Sequence, residues 1–246
     1  MADRSDGRQN RLLRVLSAVE FDEVATKATR IALRQGTVLQ KAWEPILHIY
    51  FPLDGMLSHV VQLDSGGAIE TAVVGKEGAS GVLGLIAPSP STCNVTAQIE
   101  GSAWRLSIAD MANITQRRQN VTTLLNQYLS VLHMQTQQNV VCNSMHEVEA
   151  RLCRWLLQSA DAAGRDNFFL THEFLAQMLG VQRTSVSINA QKLQAAGLVE
   201  YSRGRVRLLN RAKLEECACE CRKAIQEFSA EALPAENGGQ VGKATL

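Results

Sequence analysis

The sequence contains no apolar run that approaches the ~18 residues of a membrane-spanning helix. Its first ten residues, MADRSDGRQN, are polar and charged and lack the apolar core of a signal peptide. The 246 residues carry a formal net charge of +1, so total charge predicts neither a nucleic acid nor a membrane as partner. Only six cysteines occur, without the spacing of a disulfide framework. We therefore expect a cytoplasmic protein with free thiols.

Glycine and proline are unevenly distributed along the chain. Ten of the seventeen glycines precede Ser102, and neither residue type occurs between Gly101 and Gly164. Short β-rich segments at 46–51, 56–63, 68–74 and 95–106 occupy the first part, with turn signals at 52–55 and 64–67 between segments and a third at 100–101 within the last one. The pattern predicts an α+β protein, with an antiparallel β-roll or barrel first and helices after it.

The stretch Val74–Leu85, VGKEGASGVLGL, has a glycine at every third position. Such glycines allow positive φ angles and can point amide N–H groups inward to form an anion nest. Glycines also turn corners between strands without any ligand. The local pattern leaves both interpretations open.

The glycine-free span predicts two helices, and the first carries a heptad-spaced set of side chains. The set is Val121, Leu125, Tyr128, Leu132, Gln135, Asn139, Cys142 and His146. A heptad seam predicts a parallel homodimer along Leu125, Tyr128, Leu132, Gln135 and Asn139, with the two polar residues fixing register. The alternative is a helix that packs on its own roll. The second helix is predicted to end near Gly164.

From Asn167 onward the pattern changes to short helices and a hairpin. Thr171 is a good N-cap for a helix that Gly180 ends, and a second helix is predicted from Gln182 to Ala196. Two short helices joined by a glycine-containing turn form a helix-turn-helix. Arg203-Gly204 then predicts a tight hairpin, which is a wing. Beyond residue 229 the composition predicts a disordered tail over 229–246.

The second helix of this unit is the candidate DNA reader. Its first positions all form hydrogen bonds and none is acidic: Gln182, Arg183, Thr184, Ser185 and Ser187. Arg183 can donate two parallel hydrogen bonds to a guanine edge, and we assign base reading to Arg183, Thr184 and Ser187. Between Gly180 and Lys213 seven cations face one anion, a local charge of +6. This concentration predicts phosphate contacts, including Arg203 and Arg205 in the wing.

These features together resemble the Crp/Fnr family of dimeric transcription regulators. The resemblance covers about residues 12–225 and is most specific in LTHEFLAQMLGVQRTSVSINAQKLQAAGLVEYSRGRVRL, with GKEGASGVLGL and CNVTAQIEGSAWRL marking the roll. It implies a double-stranded β-helix type of roll that resembles cyclic-nucleotide-binding domains, over residues 1–116. It further implies a dimerisation helix over 117–146 and a winged helix-turn-helix over 147–228. The implied partners are a near-palindromic double-stranded DNA site and, for an activator, bacterial RNA polymerase.

The resemblance also assigns individual residues of the DNA-binding unit. Arg183 and Thr184 stand where family members read bases, and Thr171, Gln182 and Ser185 stand near phosphate-contacting positions. Ile188 departs from the pattern, because cyclic-AMP-responsive members carry a DNA-reading arginine there.

The implied effector pocket comprises Gly78, Ala79, Ser80, Gly81, Ser91 and Thr92. Ala79 replaces the glutamate that holds the ribose, and Ser91-Thr92 replace the Arg-Ser pair that holds the cyclic phosphate. We therefore expect no response to cyclic nucleotides.

Four other functions are possible for a chain with these features. Thiol- or metal-based redox sensing could use Cys217, Cys219 and Cys221, with Cys217 and Cys221 on one helix face. An iron–sulfur cluster of the oxygen-sensing type is not expected, because no cysteine precedes Cys93. A cupin-like metal enzyme would need more ligands than His48 and His59 supply in the roll. A protein-interaction adaptor would keep the winged helix without binding DNA. No cofactor or metal is assigned from the sequence.

Overall fold

The computed structural model describes residues 6–235. Its N-terminal elements are a 3₁₀ turn at Asp6–Gln9, helix α1 at Arg11–Arg14 and helix α2 at Ala18–Lys27. Asn10 ties this segment to the roll: its side-chain oxygen caps α1, and its amide donates to the carbonyls of Pro52 and Gly78 at 2.9 and 2.8 Å. The side chain of Asn10 is completely buried, so these hydrogen bonds replace the water it loses on folding.

Five antiparallel strands form the roll: β1 (Thr29–Leu33), β2 (Val38–Gln40), β3 (His48–Gln62), β4 (Ala68–Val74) and β5 (Asn94–Ser107). The strand order is β1-β5-β3-β4, and β2 also pairs with β5. The predicted turn at 52–55 is instead a set of bulges that bend one long strand, β3. Gly55 is required there, because it has φ +78° and a Cβ would lie 2.6 Å from the carbonyl oxygen of Ile99.

Three helices follow the roll: α3 (Ile108–Arg117), α4 (Gln119–Met145) and α5 (Val148–Ala163). The predicted helices are present, but the span begins with the end of β5 and holds three helices instead of two; α5 ends at Gly164 with φ 68°. No helix among the described residues is long and apolar enough to cross a bilayer.

The C-terminal part contains β6 (Asn167–Phe169), α6 (His172–Leu179), α7 (Arg183–Ala195), β7 (Val199–Ser202), β8 (Arg205–Leu208), α8 (Arg211–Cys217) and α9 (Cys221–Ala232). Its three strands pair in the order β6-β8-β7. The predicted start of a disordered tail at residue 229 is wrong, because α9 continues to Ala232 and Leu233 is buried. Residues 236–246 of that predicted tail lie outside the described residues.

One hydrophobic core joins the roll to the C-terminal part. Trp155 and Leu156 of α5 belong to the same buried cluster as Met56 and Ile99 of the roll. A second cluster lies under α1 to α4 and includes Trp104 and Tyr128. The position of the C-terminal part is therefore set by apolar burial as well as by chain connectivity.

The predicted dimer seam on α4 faces its own chain. Leu125, Tyr128, Gln135 and Asn139 are buried and Leu132 is half-buried; Asn139 donates its amide to the Thr71 carbonyl at 2.9 Å. The prediction that these side chains contact a second copy is therefore wrong for the four buried residues, which pack on their own chain, whereas half-buried Leu132 keeps an accessible part. The exposed face of α4 has the same spacing of four and three: Asn126, Ser130, His133, Gln137, Val140 and Ser144. Because every face of a helix repeats this spacing, the spacing alone did not show which face of α4 the roll covers and which is exposed.

Candidate nucleic-acid interface and ligand pocket

Helices α6 and α7 form the predicted helix-turn-helix. The Thr171 hydroxyl caps α6 by accepting a hydrogen bond from the Phe174 N–H at 3.2 Å. Gly180 ends α6 with φ 63°, and a Cβ there would lie 3.0 Å from Ile69 of the roll. The predicted cap and stop are both present, and the turn also contacts the roll.

The first turn of α7 presents hydrogen-bonding groups to solvent. Gln182, Arg183 and Thr184 are exposed, and Gln182 makes no capping hydrogen bond with its side chain. No acidic residue lies in this turn, so the positive end of the helix and its free N–H groups can accept an anion. Arg183 lies 3.9 Å from Glu173, but both side chains are more than two-thirds exposed and such a pair is weak.

The two serines of α7 are only partly exposed. The Ser187 hydroxyl lies 3.1 Å from Nδ1 of His172, between the two helices, and the Ser185 carbonyl accepts a hydrogen bond from Asn189 at 2.8 Å. A base contact by Ser187 must therefore compete with His172. Ile188, by contrast, is 56% exposed and was not assigned a contact from the sequence. An apolar side chain at this position can contact a thymine methyl group.

The wing ends in a two-residue turn. Arg203 and Gly204 have φ angles of 48° and 78°, the positive pair that this class of hairpin turn requires. Arg203 and Arg205 are exposed, and no ion pair joins either one to an acidic residue within 6–235. Both guanidinium groups are therefore accessible to an anion from solvent.

Four of the seven cations counted between Gly180 and Lys213 take part in ion pairs, including the weak contact of Arg183 with Glu173. The other three pairs are Arg207–Glu200 at 2.8 Å, Lys192–Glu149 at 3.4 Å, and Arg211 with Asp161 and Asp166. Most of these acidic partners precede residue 180 in sequence, so the local count overstated the positive charge of the surface. The remaining charge is concentrated at the start of α7 and at the turn of the wing.

A cavity of about 830 Å³ lies between the roll and α4. No Lys, Arg, Asp or Glu side chain of the described chain lines it, and its polar groups include Tyr50, His59, Thr71 and Ser80. His59 Nε2 lies 2.8 Å from the Ser80 hydroxyl, and burial lowers the pKa of His59 to about 4. Its imidazole is therefore neutral at pH 7, and the cavity offers hydrogen bonds without a permanent cation.

Four of the six predicted pocket residues line this cavity: Ser80, Gly81, Ser91 and Thr92. The assignment of Gly78 and Ala79 to the pocket is wrong. A Cβ at Gly78 would overlap the Tyr128 ring of α4, and Ala79 is completely buried in the core of the roll. Gly78 faces α4 instead of the cavity. Because glycine has no side chain, the Tyr128 ring of α4 packs directly against its backbone.

The glycines of VGKEGASGVLGL are packing contacts rather than an anion nest. A Cβ at Gly75 would overlap Ala162 of α5, and one at Gly81 would overlap the carbonyl of His48. The Gly75 N–H donates to the carboxylate of Glu77 at 2.7 Å, so the protein's own anion occupies this amide. These glycines therefore allow α4 and α5 to pack closely against the backbone of the roll.

Two family models match the chain, and they cover both parts of it. The cyclic nucleotide-binding domain matches residues 30–118, and the Crp-like helix-turn-helix domain matches residues 150–217. The chain belongs to the Crp/Fnr family of transcription regulators. Members of this family are regulators and not enzymes, which removes the cupin-like alternative.

Solved structures of Crp/Fnr-type proteins share this fold at low sequence identity. FixK2 from Bradyrhizobium japonicum is 17% identical, with a TM-score of 0.66 over 78% of this chain and 98% of its own. A CRP-family transcriptional regulator from Thermus thermophilus, TTHB099, is 22% identical, with a TM-score of 0.64 over 76% and 96%. The c-di-GMP responsive regulator CLP of Xanthomonas campestris is 16% identical, with a TM-score of 0.64 over 79% and 100%. No curated protein matches the chain in sequence.

This Crp/Fnr chain also assembles a cluster of metal-ligating side chains. Ligand atoms of Cys142, His146, Cys219 and Cys221 all lie within 4.8 Å of one another. The prediction that Cys217 and Cys221 share a helix face is wrong, because α8 ends at Cys217 and α9 begins at Cys221. Sequence reasoning placed Cys142 and His146 on the dimer seam, although their spacing of four on one helix suits two ligands of one metal.

Proposed function

We propose that this regulator binds a near-palindromic duplex site as a homodimer, and that cyclic nucleotides do not control it. The observation that carries DNA recognition is exposed positive charge at two separate elements. Arg203 and Arg205 at the turn of the wing have no ion pair within 6–235, and Arg183 at the start of α7 has only a long, solvent-exposed contact with Glu173. A helix N-terminus and a basic wing are the two elements that a winged helix places on base edges and on phosphates.

The proposed contacts divide into base reading and phosphate binding. Arg183 and Thr184 meet base edges, with Ser187 in competition with His172, and Ile188 adds an apolar contact. The phosphate contacts are Thr171, Gln182, Ser185, Arg203 and Arg205. The whole unit over residues 147–228 is proposed to act as one body, since α5 shares its hydrophobic core.

The dimer contact is proposed on the exposed face of α4 rather than on the buried one. Val140, Val141 and Met145 are 63%, 48% and 75% exposed near its C-terminal end. A second copy is the expected occupant, because a near-palindromic site requires two reading helices related by a two-fold axis. In this proposal the roll over 1–116 is the sensor and residues 117–146 form the dimer helix. Contact with RNA polymerase is expected if the protein activates transcription.

The absence of a cyclic-nucleotide response is proposed from the charge of the cavity. A cyclic phosphate would lack a cation, and a lost hydrogen bond to a charged group costs ~1.5–3 kcal/mol. The carboxylate of Glu77 already occupies the Gly75 amide. A neutral, partly apolar small molecule fits the lining better, because it needs hydrogen bonds but no counter-charge.

Selection of duplexes from a random pool by the purified full chain tests this proposal. We expect an enriched near-palindrome whose half-site centres lie ~10 base pairs apart, without added ligand and unchanged by cyclic AMP. Arg183→Ala in α7 and Arg205→Ala in the wing should weaken binding to the enriched duplex, and Arg34→Ala, at an exposed arginine of the roll, is the charge-matched control. Enrichment without two-fold symmetry would contradict the dimer. Enrichment only with cyclic AMP would contradict the effector argument, and no enrichment would favour the adaptor.

A further inference from the structure

Three cysteines and one histidine meet where the end of α4 contacts the start of α9. Cys142 lies in the last turns of α4 and His146 caps the helix, whereas Cys219 precedes α9 and Cys221 is its first residue. The Sγ atoms of Cys142 and Cys219 are 3.5 Å apart, and Cys221 Sγ lies 3.4 Å from His146 Nδ1. We propose that these four side chains bind one zinc ion.

The distances suit a tetrahedral ion. With Zn–S bonds of about 2.3 Å and Zn–N bonds of about 2.0–2.1 Å, the S···S edges of the tetrahedron are about 3.8 Å and the S···N edges about 3.5 Å. The S···S separation of 3.5 Å and the S···N separation of 3.4 Å lie within about 0.3 Å of these edges, and all other pairs are within 4.8 Å. Small side-chain rotations therefore complete the site. Three thiolates and one imidazole are soft donors in a closed four-coordinate set, which is typical of structural zinc.

The surrounding residues orient the ligands as the outer partners of a metal site do. His146 turns Nδ1 to the sulfurs, and its Nε2 lies 3.2 Å from a carboxylate oxygen of Glu220. This contact fixes the ring and places the proton on Nε2, which leaves Nδ1 free to bind a metal. Gln138 donates its amide to Cys221 Sγ at 3.2 Å, a hydrogen bond that favours thiolate.

Two buried arginines supply an independent indication of negative charge at the cluster. Arg151 and Arg154 are 6% and 4% exposed, and no ion pair joins either to an acidic residue in the described part of the chain. Arg151 donates a hydrogen bond at 2.8 Å to the side-chain oxygen of Asn143, the residue that follows Cys142. Zn²⁺ with three thiolates carries a net charge of −1, which would compensate a buried guanidinium. If the three thiols were neutral, the cluster would supply no negative charge to either guanidinium. Glu70 does not replace it, because burial favours the protonated, uncharged form of its carboxyl group.

The ion would connect segments far apart in sequence. Cys142 and Cys219 are separated by 77 positions, and α9 packs along α4. The residue after the site, Glu147, caps α5, the first helix of the proposed DNA-binding unit. The zinc would therefore fix the end of the long helix relative to α9. This inference does not depend on the proposed DNA site or on the dimer.

The test measures metal on the full chain without DNA, using Zn²⁺ and then Co²⁺ as probes. We expect about one zinc per chain by elemental analysis and, after exchange, the charge-transfer and d–d bands of tetrahedral, thiolate-bound Co²⁺. Cys219→Ser should weaken Zn²⁺ binding by more than ~100-fold, and Glu220→Gln, at an exposed partner, by ~10-fold. Cys217→Ser is the matched control, because this cysteine is exposed in the same C-x-C-x-C run and outside the cluster.

If Cys219→Ser folds poorly, two measurements still test the proposal. Glu220→Gln leaves all four ligands in place, and the Co²⁺ spectrum is recorded on the wild-type chain. Chelation should lower the melting temperature of wild type and Cys217→Ser alike. Several results would overturn the proposal: wild type that binds no Zn²⁺ or Co²⁺ with its thiols reduced, equal loss of metal in Cys217→Ser and Cys219→Ser, or a Cys142–Cys219 disulfide in protein purified without oxygen.

Discussion

Glu70 gives a pH-dependent test of how the roll is joined to the C-terminal part. Its side chain is buried between β4 and α5, where the Ser58 hydroxyl donates to one carboxylate oxygen and the Trp155 indole N–H donates to the other at 2.7 Å. Burial raises the pKa of Glu70 from 4.5 to about 7, and these two hydrogen bonds oppose that effect only in part. The carboxyl group is therefore partly protonated near neutral pH.

The sign and size of the effect follow from this pKa. Because the folded pKa exceeds the unfolded one, the folded state binds more protons between pH 4.5 and about 7. The contribution of Glu70 to stability is therefore full below pH 4.5, falls as pH rises through this window, and is constant above it. At about 1.4 kcal/mol per pH unit, ionisation of Glu70 removes about 3 kcal/mol by pH 8.

Glu70→Gln should abolish this loss. Glutamine has the shape of the protonated acid: its amide oxygen can accept from Trp155, and its amide nitrogen can donate to Ser58. We expect the variant to exceed wild type in free energy of unfolding by about 3 kcal/mol at pH 8 and by less than about 1 kcal/mol at pH 5.

Urea denaturation followed by tryptophan fluorescence across pH 5–8.5 measures this difference. Glu44→Gln, at an exposed carboxylate, is the control and should stay within ~0.5 kcal/mol of wild type at each pH. Wild-type and Glu70→Gln stabilities that run parallel with pH would refute the reasoning, because a buried ionising carboxyl must change the slope.

The remaining predictions concern packing, recognition and ligand. Gly78→Ala should destabilise the fold by ~1–3 kcal/mol in thermal melts, because its Cβ would overlap Tyr128, whereas Gly67→Ala meets no atom closer than 3.6 Å and serves as control. Arg183→Ala should cost ~1–3 kcal/mol on the selected site and relax one base pair per half-site, whereas Arg205→Ala should weaken all duplexes alike and reduce the salt slope by about one; equal effects of both would contradict these roles. Titration calorimetry with cyclic AMP should show no saturable micromolar binding, and a clear isotherm would contradict the uncharged cavity.

Short-range signals in the sequence were sufficient for the C-terminal unit. The Thr171 cap, the Gly180 stop and the Arg203-Gly204 turn each act over a few residues, so their geometry follows from local chemistry. The absence of glycine and proline between Gly101 and Gly164 likewise indicated helices, although the start of this span belongs to β5 and the rest forms three helices instead of two.

Only the tertiary structure decided which surfaces these elements present. The heptad spacing on α4 did not show which face the roll covers, because each face repeats the same spacing; contacts with Gly78 and Thr71 decided it. The charge count around the wing covered only neighbouring residues in sequence. It therefore missed acidic partners that α5 brings close in the fold. The cluster of Cys142, His146, Cys219 and Cys221 forms because the break between α8 and α9 returns the chain to α4. Such contacts join residues that are distant in sequence, and packing of the whole chain brings them together.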